Sequence, residues 1–260
     1  MKLIQSRDNT FFKDLVKLAG SARQRGKAAQ TLLDGTHLLA AYLDADKKPL
    51  HILLNSAALK DDEVEVLLKR ATGVPMTQLD DKLFAEITEL KTPSGMLTLV
   101  EIPQALPADS RFALLLEDIQ DPGNLGSILR SAAAAGCDAV YLSKGCADAW
   151  SPRVLRAAMG GHFALTIHEA SDLLAVAATL PGTVFAAALQ GEVGLYDCDF
   201  RDEIAFAIGN EGAGLSPALQ AAVSRRFTIP MPGKVESLNA AAATAVCLFE
   251  AVRQRSRSAG

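Results

Sequence analysis

Three short stretches concentrate the residues that could do chemistry. The first, Glu117-Asp118-Ile119-Gln120-Asp121-Pro122-Gly123-Asn124-Leu125-Gly126-Ser127-Ile128-Leu129-Arg130, carries acids, an amide and an arginine. Asn124 suits the cap of a helix beginning beside it, and Arg130, six residues on, is nearly two turns away and able to point at a neighbouring site. The stretch contains neither G-x-G-x-x-G nor G-x-x-x-x-G-K-[ST], which argues against a nicotinamide or nucleoside-triphosphate enzyme. The second stretch holds Gly209, Asn210, Glu211, Gly212, Ala213 and Gly214, followed by Ser216-Pro217. Three glycines in six residues let backbone approach a ligand closely, and Ser-Pro opens a helix. Glu211, the only charge in this turn, must pair with Arg130 or meet a ligand donor if it is desolvated. In the third stretch, residues 229–239, Pro230 and Pro232 force an extended path, and Ser237 and Asn239 stand at a helix entrance as cap-type residues. Read singly, these stretches suit a routine cap or a structural turn as well as a cofactor loop.

Their placement favours function. Apolar runs at 112–116, 139–142, 164–167, 184–189, 204–208 and 227–229 alternate with helical patterns at 125–135, 152–159, 172–178 and 238–255. Strands apolar on both faces, separated by helices, predict a parallel α/β sheet covered on each side. Ligands of such sheets bind beyond the carboxyl ends of strands, where the three stretches fall. The last helix is apolar nearly all round, which predicts burial on every side. Upstream, helical patterns at 9–19, 37–43 and 61–70 with apolar runs at 51–54 and 96–100 predict a smaller α/β domain. The expected organisation is a first domain over 1–102, a linker over 103–110 containing Pro103 and Pro107, and a second domain over 111–260.

Composition narrows the classes. The 260 residues are 49% hydrophobic and 22% charged, a globular balance. The longest apolar stretch, 240–249, is interrupted by Thr244 and falls short of the roughly 18 to 20 residues a membrane span needs. No secretory signal is readable at the N-terminus, so the expected location is the cytoplasm. Four cysteines without a C-x-x-C and four histidines off metal-ligand spacing predict reduced thiols and no metal. Net charge is −4, which by itself argues against a polyanionic partner. Residues 1–30, however, hold seven basic and two acidic side chains, +5 in all, leaving −9 on the rest, and Arg253, Arg255 and Arg257 end the chain. Because screening makes charge local, a basic patch of this kind suits either nucleic acid or a solvated helix.

The set N-x-G-x-x-x-R (Asn124, Gly126, Arg130), G-N-E-G-x-G-L (Gly209 to Leu215) and I-P-M-x-G-x-x-x-S-L-N (Ile229 to Asn239) resembles the SpoU/TrmH branch of the SPOUT RNA methyltransferases. Leu33-Asp34-Gly35-Thr36-His37 and Thr92-Pro93-Ser94-Gly95 are similar to signatures of that family's substrate-binding domain. The resemblance implies an L30e-like N-terminal domain that binds RNA and a C-terminal domain with a deep trefoil knot, assembled as a homodimer without metal or membrane. It implies S-adenosylmethionine as cofactor, held by Leu189, Gly191, Gly209, Asn210, Gly212, Ile229, Met231 and Leu238. Asn124, Arg130, Glu211, Ser237 and Asn239 would form the reaction centre. The implied reaction is methyl transfer to a ribose 2′-hydroxyl, of 23S ribosomal RNA first and transfer RNA second. A non-catalytic RNA-binding factor would lack Arg130, Asn124 or Asn239, and a base-nitrogen methyltransferase would carry other loop residues.

Overall fold

A computed structural model describes residues 1–90, 93–105, 110–188, 191–210 and 212–258. The expected linker at 103–110 lies partly outside these, as do Thr92, Leu189 and Glu211. The chain divides into two compact units, Met1–Gln104 with Trp150–Phe163, and Ala105–Ala149 with Ala164–Gly260.

In the first unit β1 (Lys2–Ile4), α1 (Thr10–Gly20), α2 (Ala22–Ala28), β2 (Gln30–Asp34), α3 (Thr36–Asp44), β3 (His51–Leu54), α4 (Asp62–Arg70), β4 (Met76–Leu79), α5 (Asp81–Ile87) and β5 (Met96–Glu101) follow in order. The strands form one sheet in the order β1-β4-β3-β5-β2. Pairing is parallel except where β5 meets β2 and β3. Alternation along β3 and β5 serves two cores: Leu53, Leu97 and Leu99 pack with Phe12, Leu15 and Phe84, whereas Ile52, Leu54 and Met96 pack with Leu39, Val64 and Leu67. Helix starts follow the expected chemistry, with Asn9, Ser21, Asp61 and Asp80 accepting from N–H groups of the first turns of α1, α2, α4 and α5. Strands β1, β2 and β4 are absent from the sequence-based pattern because each is short and only partly alternating.

The edge strand β2 is covered by a segment from far along the chain. Thr31 Oγ1 donates to Trp150 O (2.7 Å), Tyr42 meets Phe163 edge-on at 5.0 Å, and α7 (Pro152–Ala158) packs on β2 with Val154 and Leu155 buried. The sequence leaves α7 in the second domain; it is counted with the first because covering an exposed strand edge buries both partners.

The basic character of residues 1–30 is partly spent internally. Arg25 is buried and donates to Leu18 O and Ala19 O, closing the carboxyl end of α1. Arg7, Lys13 and Lys17 pair with Glu86, Asp8 and Asp14. Lys2, Arg23 and Lys27 remain outside ion pairs among the described residues. At the other end Arg253 pairs with Glu250, and Arg255 lies over the Phe112 ring at 4.2 Å and donates to Phe200 O and Asp202 O.

The second unit is built on β6 (Phe112–Leu116), α6 (Pro122–Ala135), β7 (Ala139–Leu142), β8 (Thr166–His168), α8 (Leu173–Thr179), β9 (Thr183–Ala187), β10 (Val193–Gly194), β11 (Ile204–Ile208), α9 (Pro217–Ala222), β12 (Arg225–Thr228) and α10 (Ala240–Ser258). All pairs in its sheet are parallel, in the order β10-β12-β9-β11-β6-β7-β8. Every residue of β6 and β11 is buried, as a two-sided parallel sheet requires. One face packs Phe185, Phe200, Phe206 and Phe227 edge to face; the other packs Leu115, Tyr141, Leu215 and Leu219. The expected strands at 164–167, 184–189 and 227–229 fall at β8, β9 and β12, each displaced by a few residues. Strand β12 is inserted between β9 and β10, which are joined through residues 188–192. Ala188 N donates to Phe227 O (2.9 Å) and Glu192 N to Arg226 O (3.0 Å), one from each side of β12. A Cβ on Gly191 would stand 2.2 Å from the Phe227 carbonyl carbon, so Gly191 lies directly against the β12 backbone.

Helix α10 packs on α6, and within this chain it is not buried on every side: Ala242 and Phe249 are exposed, Phe249 by 49%.

Burial lowers the pKa of His168 below its ordinary 6.5, and that of His51 likewise. The unfolded chain takes these protons first, so their contribution to stability is complete above about pH 6.5 and is lost as pH falls below it toward the depressed folded values. The His168 ring is stacked on Tyr141 at 4.5 Å and 9°. A His168→Phe variant keeps the stack without the titration, and the fall in Tm between about pH 7 and 5 should shrink relative to wild type. An equal fall would remove His168 from the acid sensitivity.

Candidate active site

Because β6 and β11 hold no polar group along their length, their chemistry begins at the first residues beyond their ends. Glu117 N donates to Ile208 O (2.9 Å), and the half-buried Glu117 carboxylate accepts from Ser216 N at 2.6 Å. One acid thereby joins the loop after β6 to the start of α9. The next residue, Asp118, has φ +55°. Its N–H donates to Ser143 Oγ (2.9 Å), and that hydroxyl donates back to Asp118 Oδ1 (2.7 Å).

The glycine turn after β11 is folded onto itself. Asn210 Oδ1 accepts from Gly212 N (2.8 Å) and Ala213 N (3.1 Å), Gly214 N donates to Asn210 O (2.8 Å), and Asn210 Nδ2 donates to Asp118 O (3.0 Å). A Cβ on Gly209 would lie 2.2 Å from Gly214 C, so the bare face of Gly209 accommodates the turn's own backbone. Gly212 of this turn has an open face: it is exposed, and a Cβ there would meet Asn210 Oδ1 at 3.4 Å.

Helix α6 is capped by Asp121, whose carboxylate accepts from Asn124 N (2.8 Å), with Pro122 in the first turn. Asn124 therefore stands inside the first turn and is not the cap expected from sequence. Its side chain is free of the capping role, and Asn124 Oδ1 accepts from Asn239 Nδ2 at 2.9 Å, across 115 residues. Asn239 in turn caps α10, its Oδ1 accepting from Ala241 N (2.9 Å) and Ala242 N (3.4 Å). Two helix N-termini are thus fastened side by side, and their aligned peptide dipoles make this corner electropositive. Arg130 is exposed on α6 and has no ion-pair partner among the described residues. Ser237 is exposed, and Asn239 alone makes the cap.

Of the residues expected to hold a cofactor, Gly191 lies against the β12 backbone at Phe227, and Gly209, Asn210 and Gly212 belong to the turn after β11. Ile229 and Met231 follow β12, and Leu238 precedes α10; all three are half-buried. In the sheet β12, β9 and β11 are neighbours, so their carboxyl-end loops are adjacent. Half-buried aliphatic and thioether side chains beside open glycine backbone fit the apolar faces of a flat heterocycle such as adenine. Leu189 and Glu211 lie outside the described residues, so the expected Arg130–Glu211 pair does as well. Cys146, at the end of β7, donates to Leu116 O (3.2 Å), and burial pushes its thiol pKa up, which disfavours the thiolate of a nucleophile. Among the described residues there is no His/Cys/Asp/Glu group able to hold a metal and no helix long and apolar enough to cross a membrane.

The sequence reading misses Glu117, Asp118 and Ser143. An acid directly after a fully apolar strand is a usable signal for the first two; nothing local marks Ser143.

The profile of the SpoU rRNA methylase family matches residues 111–249, and that of the MRM3-like substrate binding domain matches residues 9–98. The chain belongs to the SpoU rRNA methylase family. With it the chain belongs to the S-adenosylmethionine-dependent RNA 2′-O-methyltransferases. Among relatives of this SpoU methylase, the 23S rRNA (guanosine(2553)-2′-O)-methyltransferase RlmP of Bacillus subtilis (strain 168) is 33% identical over 96% of this chain and 98% of its own. The crystal structure of the SpoU methyltransferase AviRb from Streptomyces viridochromogenes with AdoMet superposes with a TM-score of 0.83 at 28% identity, covering 97% of this chain and 100% of that one. A structure described as giving insights into the 2-OH methylation of C/U34 on tRNA matches at 32% identity and TM-score 0.52, covering 58% of this chain and 99% of that one.

Asn239→Ala removes both the α10 cap and the bond to Asn124, and should lower stability by about 1 kcal/mol in chemical denaturation, whereas Ser237→Ala should leave the midpoint unchanged. Equal effects would show that the cap is not held by Asn239.

Proposed function

We propose that this SpoU methylase transfers the methyl group of S-adenosylmethionine to a ribose 2′-hydroxyl of 23S ribosomal RNA. The observation that carries this choice of RNA is coverage: the RlmP relative aligns with both units of the chain, whereas the tRNA-directed structure is spanned almost whole by only 58% of it. Transfer RNA is the second reading. Methylation of ribosomal RNA would put the enzyme in the cytoplasm.

Leu189, Gly191, Gly209, Asn210, Gly212, Ile229, Met231 and Leu238 would hold the cofactor, Asn210 through backbone because its side-chain amide is committed to the turn. Bound there, S-adenosylmethionine supplies an electrophilic methyl on a good leaving group. The chain's part is to orient a ribose hydroxyl that hardly ionises near neutrality and to favour its charged form. Arg130 would clamp the adjacent phosphate and stabilise charge developing on the hydroxyl oxygen. A role as general base is disfavoured because a guanidinium carries its charge permanently in proteins. The paired Asn124 and Asn239, with Ser237 and Glu211, would complete the reaction centre, and the two helix N-termini behind the asparagines favour the same negative charge. The first unit would hold the RNA through unpaired cations such as Lys2, Arg23 and Lys27.

Two features of the assembly belong to this reading. The contacts of Ala188, Gly191 and Glu192 with the β12 backbone, together with the family's fold, support a trefoil knot. The exposed Ala242 and Phe249 on α10 support a homodimer through that helix.

Arg130→Ala should lower kcat by about a hundredfold or more while the Kd for S-adenosylmethionine is unchanged, and Arg130→Lys should recover little, since an ammonium lacks the two-pronged fork. Near-full activity of the lysine variant would overturn the clamp. Phe249→Asp should convert a dimer to a monomer in sedimentation velocity; a wild-type monomer would dismiss the dimer. Mapping 2′-O-methyl positions in total RNA from a strain lacking the gene should show one methyl lost from 23S rRNA, and a loss confined to tRNA would select the second reading.

A further inference from the structure

Asp118 is one of five residues other than glycine with a positive φ among the described residues, and it stands two residues beyond the end of the interior strand β6. An L-residue in that conformation is strained, Asp and Asn least so, and such strain persists where surrounding contacts over-determine it. Here the contacts are on every side. The N–H and carboxylate of Asp118 both engage Ser143 Oγ, in the turn after β7, and the carbonyl accepts from Asn210 Nδ2, in the turn after β11. Gly145 completes the arrangement: a Cβ there would stand 2.1 Å from Asp118 Oδ1, so the carboxylate occupies space that only glycine leaves open. Cys146 N donates to Ser143 O and Ala147 N to Ile119 O, holding this second turn against the loop after β6.

These bonds form a relay. The Asp118 carbonyl orients the Asn210 amide, and the other end of that amide accepts from Gly212 N and Ala213 N. With Asp118 in an ordinary right-handed or extended conformation the carbonyl would turn away, and the Asn210 amide would lose that anchor outside its own turn.

We propose that Asp118 is a positioning residue for the cofactor pocket: locked at positive φ by Ser143 and Gly145, it sets the glycine turn after β11 through Asn210. The proposal rests on the reading that this turn lines the S-adenosylmethionine site. Asp118 touches neither reacting group; it acts through the turn, so its loss should weaken cofactor binding more than turnover.

The test uses the full-length protein, with S-adenosylmethionine binding followed by calorimetry and methyl transfer followed at saturating RNA. Asp118→Ala should raise Kd and KM for S-adenosylmethionine about tenfold, with kcat at saturating cofactor within about twofold of wild type. Asp118→Asn, which tolerates positive φ and keeps an acceptor for Ser143, should recover wild-type affinity. Gly145→Ala, which leaves Asp118 in place but displaces its carboxylate, should reproduce the loss and covers the case in which the alanine variant does not fold. Wild-type affinity in folded Asp118→Ala or Gly145→Ala, a fall in kcat without a rise in KM, or no rescue by Asp118→Asn would each overturn the role of Asp118 while leaving the cofactor assignment standing. Failure of the wild-type protein to bind S-adenosylmethionine would overturn that assignment and this proposal together.

Discussion

Burial of β6 and β11 on both faces confines every polar group of the reaction to the loops beyond their carboxyl ends. A parallel strand covered by helices has no wall on which to mount a catalytic side chain, so loops must supply the chemistry and also satisfy their own backbone. Side-chain staples meet the second demand. Glu117 holds the start of α9, Asp118 and Ser143 hold each other, Asn210 folds the glycine turn, and Asn239 joins the N-termini of α6 and α10. Each of these residues makes hydrogen bonds within the protein, while Gly212 is exposed and Ile229, Met231 and Leu238 are half-buried.

This division suits methyl transfer from a sulfonium. The leaving group needs little help, and the difficulty lies in placing an alcohol oxygen and tolerating its charge. Rigid loops address placement. In the proposed reading the exposed Arg130 and the two adjacent helix N-termini would address charge.

The first unit meets a different constraint. Its sheet would end in an open edge at β2, and the segment Trp150–Phe163, displaced far along the chain, closes it. Its charge is also less available than a count suggests. Arg25 serves as a helix stop, and three further cations are paired on the surface. Exposed pairs of this kind are weak and exchange readily for phosphate contacts, whereas Arg25 is committed.

Much was legible in the order of residues alone. Runs apolar on both faces, separated by helices, define a two-sided parallel sheet, and the motifs around Asn124, Gly209 and Asn239 locate the family's reaction loops, because periodicity and capping chemistry are local properties. Asn9, Asp61 and Ser216 could be read as caps for the same reason. Other features depend on partners distant along the chain. Asn124 could be taken for a cap until Asp121 claimed the helix and Asn239 arrived from 115 residues away. The positive φ of Asp118 goes with long-range partners, Ser143 and Gly145 about its carboxylate and Asn210 at its carbonyl, and no local signal announces it. Helix α10 reads as enclosed on composition, yet which of its faces stays open is decided by where α6 lies. Local propensity thus determined most of the elements, the resemblance of three motifs to a known family named the chemistry, and only long-range contact decided which side chains are consumed in holding the loops.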